Sequence, residues 1–239
     1  MSVVVPFFNP GPTVLVGTIE EVGRVLDEAG VSFEIIAVSD GSTDSSEASL
    51  RGVLSERLVL IAYTPNRGKG HAVRLGMERA RGRLIGFIDA DGDIDPSVLA
   101  DMVAAADESG ADVLFGSKVH AGSQVDAPLL RRIGSSAFRA MVRLLFGLWV
   151  PDTQTGVKLF PADLAAQVLP DMREDRFVFD LELFLLARDL GRTRFIEMPV
   201  RVAKRYASTV SAREARNIVW DTMKLFLRLK VRPRQSPTI

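Results

Sequence analysis

Apolar, β-branched runs punctuate the first half of the chain at Val3–Phe8, Phe33–Val38, Leu58–Tyr63, Leu84–Ile88 and Asp112–Phe115. Between them, Val14–Ala29, Gly70–Ala80 and Pro96–Ala106 repeat apolar residues at three- and four-residue spacing, which predicts amphipathic helices. Strand–helix alternation of this kind predicts βαβ units, hence an α/β fold with a mainly parallel sheet flanked by helices. In such sheets ligands bind beyond the carboxyl ends of the strands. Asn9-Pro10-Gly11, Asp40-Gly41-Ser42 and Asp89-Ala90-Asp91 each follow a strand, so the three are expected to line one cleft.

The second half changes character. Leu129–Trp149 is a long helix-like stretch in which Arg131, Arg132, Arg139 and Arg143 interrupt large apolar residues. "PDTQTGVKLF" reads as a turn and a short strand, Phe179–Leu190 as a helix, Arg194–Val202 as a strand and Ala212–Leu229 as a last helix. Arg232 to Ile239, with Pro233 and Pro237, reads as a frayed end. No repeat or linker marks a boundary. The expected organisation is one domain over 1–239, in two halves (about 1–127 and about 128–232) with a tail (233–239).

Composition narrows the classes. With 239 residues and 47% hydrophobic, the chain can bury a sizeable core. Lys plus Arg balance Asp plus Glu at 30 each, so no global field draws it to nucleic acid. The absence of cysteine removes disulfides and thiol nucleophiles. Apolar stretches fall short of the roughly 18 residues of a membrane span, and Ser2-Val3-Val4-Val5 reads as a strand, not a signal peptide. A cytoplasmic protein is expected. From Arg201 onward, however, ten Lys and Arg face two Asp and Glu.

Candidate chemistry concentrates in "FIDADGDIDP", with four carboxylates in seven positions. Asp89 and Asp91 lie two apart at a strand end, where an extended backbone projects both to one side. Mg²⁺ is commonly held by one or two carboxylates, with substrate phosphates completing the shell. Turn and cap roles compete with that reading. Asp95 before Pro96 suits an N-cap, and Asp93 fits either a third ligand or a solvated turn. "NRGKGHAVRLG" puts Gly-Lys-Gly at a strand-to-helix junction, where backbone approach, the helix N-terminus and Lys69 favour an anion. It lacks P-loop spacing, and no GxGxxG follows the first strand. His71 and His120 stand apart from other ligand types and read as structural.

Taken together, "VVVPFFN", "VSDGSTD", "NRGKGHAVRLG", "FIDADGDIDP", "GADVLFGSK", "DTQTGVKLF" and "EMPVRVAKRYAST" resemble, in order and spacing, family 2 glycosyltransferases with a GT-A fold. The resemblance covers about Ser2 to Ser211 and is nearest to the dolichyl-phosphate glucosyltransferase and dolichyl-phosphate mannose synthase branch, "DTQTGVKLF" leaning toward the former. It implies a Rossmann-like, mainly parallel sheet with C-terminal amphipathic interface helices, a nucleotide-sugar-binding half over about 1–127 and an acceptor-binding half over about 128–232. It also implies an inverting, single-step transfer of glucose or mannose from a nucleotide-diphosphate sugar to a polyprenyl (dolichyl or undecaprenyl type) phosphate.

Site residues follow from the same resemblance. Pro6, Phe8, Asn9 and Asp40 match positions around base and ribose, and Asp89, Ala90 and Asp91 match the DxD motif, whose acids touch ribose and hold Mg²⁺ or Mn²⁺. Lys69 is a candidate to neutralise the leaving diphosphate. Asp93 falls where a metal-reaching Gln is frequent. Lys118, Arg131, Ser135 and Arg205 match residues around the acceptor phosphate, and Asp152 lies where an active-site acid is expected. Three positions depart from the pattern: Phe8-Asn9-Pro10 replaces "YNE", Val38-Ser39-Asp40 replaces "VDD", and Lys118 replaces an Arg, losing the bidentate fork.

A phosphate acceptor, already largely ionised at neutral pH with a second pKa of ~6, needs positioning more than deprotonation. A hydroxyl acceptor needs a base, for which Asp152 comes first and Asp180 or Glu182 follow. Those last two also suit a helix N-terminus. A lipid acceptor predicts that Leu129–Trp149 faces the membrane, whereas the basic final helix suits either the membrane or the core. The enzyme would then be peripheral, on the cytoplasmic face. Rival readings are a family 2 enzyme acting on a soluble hydroxyl, a nucleotidyltransferase and a non-catalytic binding module.

Overall fold

The computed structural model describes residues 1–53, 55–125, 129–202 and 212–231; at 129–132, 212–214 and 231 it describes the backbone alone. The strands are β1 (Ser2–Phe7), β2 (Glu34–Asp40), β3 (Leu58–Tyr63), β4 (Leu84–Ile88), β5 (Val113–Ser117), β6 (Val157–Pro161) and β7 (Phe195–Pro199). The helices are α1 (Pro12–Glu28), α2 (Ser46–Arg51), α3 (Lys69–Arg79), α4 (Ser97–Ser109), α5 (Leu129–Phe146), α6 (Ala162–Val168), α7 (Phe179–Asp189) and α8 (Ala212–Val231), with a 3₁₀ turn at Leu169–Asp171. Every strand and helix read from the pattern is present with small shifts of its ends; α2 and α6 are too short to show a periodicity of their own.

The sheet runs β3-β2-β1-β4-β6-β5-β7. All pairings are parallel except those of β6, which inserts antiparallel between β4 and β5. A strand from the second half of the chain thus sits inside the sheet of the first. Alternation along the strands feeds two layers. Val3, Val5, Ile35 and Ala37 face α1, α2 and α4, while Val4, Ile36, Phe87 and Phe115 face α3 and α5 to α8. In α7 all residues from Phe179 to Ala187 are buried, Asp180 and Glu182 included.

Candidate active site

Because β2, β1 and β4 are neighbours, their carboxyl ends open onto one cavity of about 670 Å³. Pro6, Phe8, Asn9, Asp40, Lys69, Asp89, Ala90 and Asp91 all line it. Asn66 lines it too, and so do residues not singled out in the sequence: Arg176 and Phe177 from a loop, and Asn217, Ile218 and Asp221 from α8. Lys118, Asp152 and Ser135 lie outside this lining. Arg131 is on α5 at a position described by backbone alone, and Arg205 and the frayed end at 232–239 lie outside the described residues.

Two of the expected nucleotide contacts are also organisers of the rim. Asn9, at a positive φ of 50°, accepts from the amides of Thr43 (2.7 Å) and Asp44 (3.2 Å), so its side chain ties the loop after β1 to the loop after β2. Asp40 is almost fully buried, and its carboxylate accepts four hydrogen bonds: from Tyr63 Oη (2.8 Å), Asn66 Nδ2 (2.9 Å), and the amides of Arg67 (2.7 Å) and Gly68 (2.9 Å). It thereby fixes the loop that delivers Lys69.

Gly-Lys-Gly has a second reason beyond anion approach. A Cβ at Gly68 would lie 2.4 Å from the Asp175 carbonyl oxygen, and one at Gly70 would lie 2.5 Å from that of Glu174. The glycines let the 173–178 loop seat directly on the start of α3, and Asp175 secures it through Arg74 (2.5 Å) and its own carbonyl to the His71 amide (3.1 Å). This loop carries Arg176 and Phe177 to the cavity. His71 belongs to this packing, edge-on to Tyr63, and His120 accepts from the Gly122 amide.

Lys69 Nζ meets Asp89 Oδ1 at 2.5 Å on the cavity floor. Burial opposes its charge, but Asp89 and Asp180 outweigh that and hold the ammonium above its ordinary pKa. Asp91 is pushed the other way for an acid: desolvation and then Asp89 raise its carboxyl above the usual range. Its Oδ1 accepts the Asp93 amide (3.0 Å) in a tight turn. The N-cap of α4 is Pro96, one residue beyond the Asp95 expected there, and Asp95 Oδ1 accepts the Ser97 amide at 2.9 Å at the start of the helix. Among the described residues no three acidic or histidine groups converge on one point. Asp89 and Asp91 bring two carboxylates to the cavity lining, the hard oxygen donors that a divalent ion takes.

The Asp152–Gly156 turn closes the far side of Asp89. Gly156 accepts the Asp89 amide (2.9 Å) and lies against its carboxylate. Asp152 is engaged with the Lys118 amide (3.0 Å), the Gln154 amide (3.1 Å) and the Thr155 hydroxyl. Beneath the turn, Lys158 is fully buried, with Nζ 2.6 Å from Asp180 and 2.9 Å from the Thr155 carbonyl. Burial pushes the Lys158 ammonium down and the Asp180 carboxyl up, and their attraction opposes both shifts. Glu182, also buried, accepts the Arg173 and Glu174 amides and the Arg228 guanidinium of α8. Both acids are thus occupied within the fold.

A comparison with known proteins agrees with this frame. A dolichyl-phosphate beta-glucosyltransferase of Drosophila melanogaster is 33% identical over 206 residues, covering 80% of this chain and 63% of that protein. Its counterpart in Saccharomyces cerevisiae is 29% identical over 208 residues, covering 78% and 62%. The chain thus spans a little under two thirds of the length of these relatives. Among solved structures, glucosyl-3-phosphoglycerate synthase from Mycobacterium tuberculosis, in complex with Mn²⁺, uridine diphosphate and phosphoglyceric acid, shares the fold. Its TM-score is 0.73 at 16% identity, with 94% of this chain and 78% of that one covered. The model of glycosyl transferase family 2 matches residues 2–165, the stretch that builds β1 to β6 and supplies Lys69, Asp89 and Asp91. The chain belongs to that family.

Proposed function

We propose that the protein is a hexosyltransferase that moves glucose or mannose from a nucleotide-diphosphate sugar to a polyprenyl phosphate, with inversion in one displacement. The observation that carries the donor half is the Lys69–Asp89 pair beside Asp91 on the cavity floor. Asp89 and Asp91 would hold Mg²⁺ or Mn²⁺, which when bound supplies charge neutralisation for a departing diphosphate. Phe8 and Asn9 are assigned to the base and ribose side, and Lys69 to the phosphates. Asp93 remains a turn residue in this reading, able to join the ion's outer shell.

The acceptor half is supported by similarity to relatives named for dolichyl phosphate and by the surface. α5 and α8 pack together through Phe146 and Phe226, whose centroids are 5.5 Å apart. Outward, they and the turn after α5 expose Leu144 (86%), Trp149 (73%), Trp220 (63%) and Leu227 (59%). Arg143 lies over the Trp149 ring at 3.9 Å, a pairing of aromatic and cation suited to a headgroup layer. No helix among the described residues is long and apolar enough to cross a membrane. A peripheral enzyme on the cytoplasmic membrane face, with Lys118, Arg131, Ser135 and Arg205 around the lipid phosphate, fits these features. Asp152 then orders the Lys118 segment and need not act as a base.

The deciding experiment offers labelled UDP-glucose or GDP-mannose with Mn²⁺ or Mg²⁺ to polyprenyl phosphate and, separately, to soluble sugars and glycerate. Transfer to the lipid phosphate, lost in Asp91→Ala, is expected. Transfer only to water-soluble products would replace this reading by that of a soluble-acceptor enzyme, and release of pyrophosphate would indicate a nucleotidyltransferase.

A further inference from the structure

A lysine with no solvent exposure, Lys158, is the second residue of β6, beside Phe87 of β4 and Phe115 of β5 in the sheet register. Its only acidic partner among the described residues is Asp180, itself 2% exposed. Placing an ion pair there is expensive: two charges leave water, and well-packed apolar residues of similar volume are often as good or better for stability. Stability therefore gives no reason for the pair. Its surroundings do.

The Lys158 ammonium reaches three things at once. It bonds Asp180 on α7, it donates to the Thr155 carbonyl in the turn that seats Asp89, and it lies 5.1 Å from the Phe87 ring centroid. Lys69 lies 5.6 Å from that same ring and is attracted by Asp180 from within the protein. Two ion pairs, Lys158–Asp180 in the core and Lys69–Asp89 at the cavity, thus meet at the Phe87 ring. The Lys69 end would face a diphosphate, and the Asp89 end would face a divalent ion.

We propose that the Lys158–Asp180 pair is a positioning element for the transfer reaction. Asp180 holds Lys69 at the cavity floor as a counter-charge that is not part of the solvent-facing site. Lys158 balances Asp180 and pins the Thr155–Gly156 backbone against Asp89. With Asp89 engaged by a donor, the buried Asp180 carboxylate, on the helix whose Phe179 ring lies 5.7 Å from Lys69 Nζ, would still hold Lys69 in place beside the phosphates. Preorganised charge of this kind acts on the developing negative charge of the leaving group more than on ground-state binding. The inference rests on the reading of the cavity as a nucleotide-sugar site.

The test replaces the pair by apolar residues, Lys158→Met with Asp180→Leu, in the full chain. The wild type is first shown to bind UDP or GDP, which carry the charge of the leaving group, by calorimetry; absence of that binding would overturn the cavity reading and this inference together. The double variant should keep a thermal midpoint near that of the wild type. Its kcat should fall about 10-fold or more while the donor KM moves less than about threefold, and the nucleoside diphosphate should bind about 10-fold more weakly. A folded double variant with wild-type kcat and nucleotide affinity, in a wild type that binds, would overturn the inference alone. Should the double variant not fold, Asp180→Asn, which keeps the side chain's shape and its bond to Lys158, should show the same kcat loss; full activity there overturns it equally.

Discussion

The Asp89 carboxylate lies so close to Gly156 that a Cβ at position 156 would fall 1.9 Å from Oδ2. No side chain fits that gap without displacing the carboxylate or the backbone of the turn before β6. Gly156→Ala should therefore push the Asp89 carboxylate away from its place beside Lys69. Overpacking of this size costs about 1–3 kcal/mol. The expected outcome is a lower urea midpoint together with loss of metal-dependent nucleotide binding, read by calorimetry. Unchanged binding would show that Asp89 needs no such seat.

Asp40 offers a different lever, because its four hydrogen bonds are all internal. In Asp40→Asn one acceptor oxygen becomes an amide that faces either the Asn66 amide and the Gly68 N–H or the Tyr63 hydroxyl and the Arg67 N–H. At least one buried donor then loses its partner, at about 1–3 kcal/mol. The loop to Lys69 should loosen, so donor KM should rise along with the stability loss in urea. Tyr63→Phe removes one bond only and should cost about 1 kcal/mol.

Acid stability should depend on Asp44. Its Oδ2 accepts from the Gly11 amide (3.0 Å) and the Ser46 hydroxyl (2.8 Å), and its Oδ1 from the Ser46 amide (3.1 Å). Burial pushes the carboxyl up, but these bonds outweigh it and leave the pKa below the ordinary 3.8. A lowered folded-state pKa means stabilisation in full above the unfolded value, lost as pH falls through the folded one. The difference in urea midpoint between wild type and Asp44→Asn should accordingly be constant near neutrality and shrink below pH ~4. A difference that stayed constant into the acid range would remove Asp44 from this role.

Local pattern carried much of this architecture. Strand ends at Asn9, Asp40 and Asp89 could be assigned to one cleft because parallel βαβ units place successive carboxyl ends side by side. What pattern could not show was contact between distant segments. That β6 enters antiparallel between β4 and β5 depends on which edges are open, not on the composition of Val157–Pro161. Gly68 and Gly70 read as phosphate-binding glycines, yet the backbone they admit is that of residues 174–176, some hundred positions away. Arg176, Phe177, Asn217 and Asp221 carry no motif, and only the seating of the 173–178 loop and α8 brings them to the cavity. Lys158 left one trace, a charge within an apolar strand run, and Asp180 and Glu182, which stand in the first turn of α7 as expected, are buried counter-ions as well.

The last helix has two unlike faces. Thr222 and Leu225 are buried, and Arg228 pairs with Glu182 and Glu174, so one face of α8 belongs to the fold. The other face exposes Val219, Trp220, Met223 and Leu227 beside Lys224, whose ammonium lies 5.5 Å from the Trp220 ring. α5 adds Leu144 on its own exposed side. Burying a Trp or Leu side chain in an apolar layer contributes about 1.5–3 kcal/mol each, and nearby Lys and Arg add roughly 1 kcal/mol each on an anionic surface. Trp220→Glu combined with Leu144→Glu removes two such side chains without touching a buried contact. Sedimentation with vesicles of mixed neutral and anionic phospholipid should show affinity reduced on the order of 100-fold. The thermal midpoint should stay near wild type, as surface changes within about 0.5 kcal/mol allow. Transfer to lipid phosphate in vesicles should fall with the binding, whereas nucleotide affinity in solution should not, since neither residue lines the cavity. Vesicle binding unaffected by both substitutions would take the membrane away from this face.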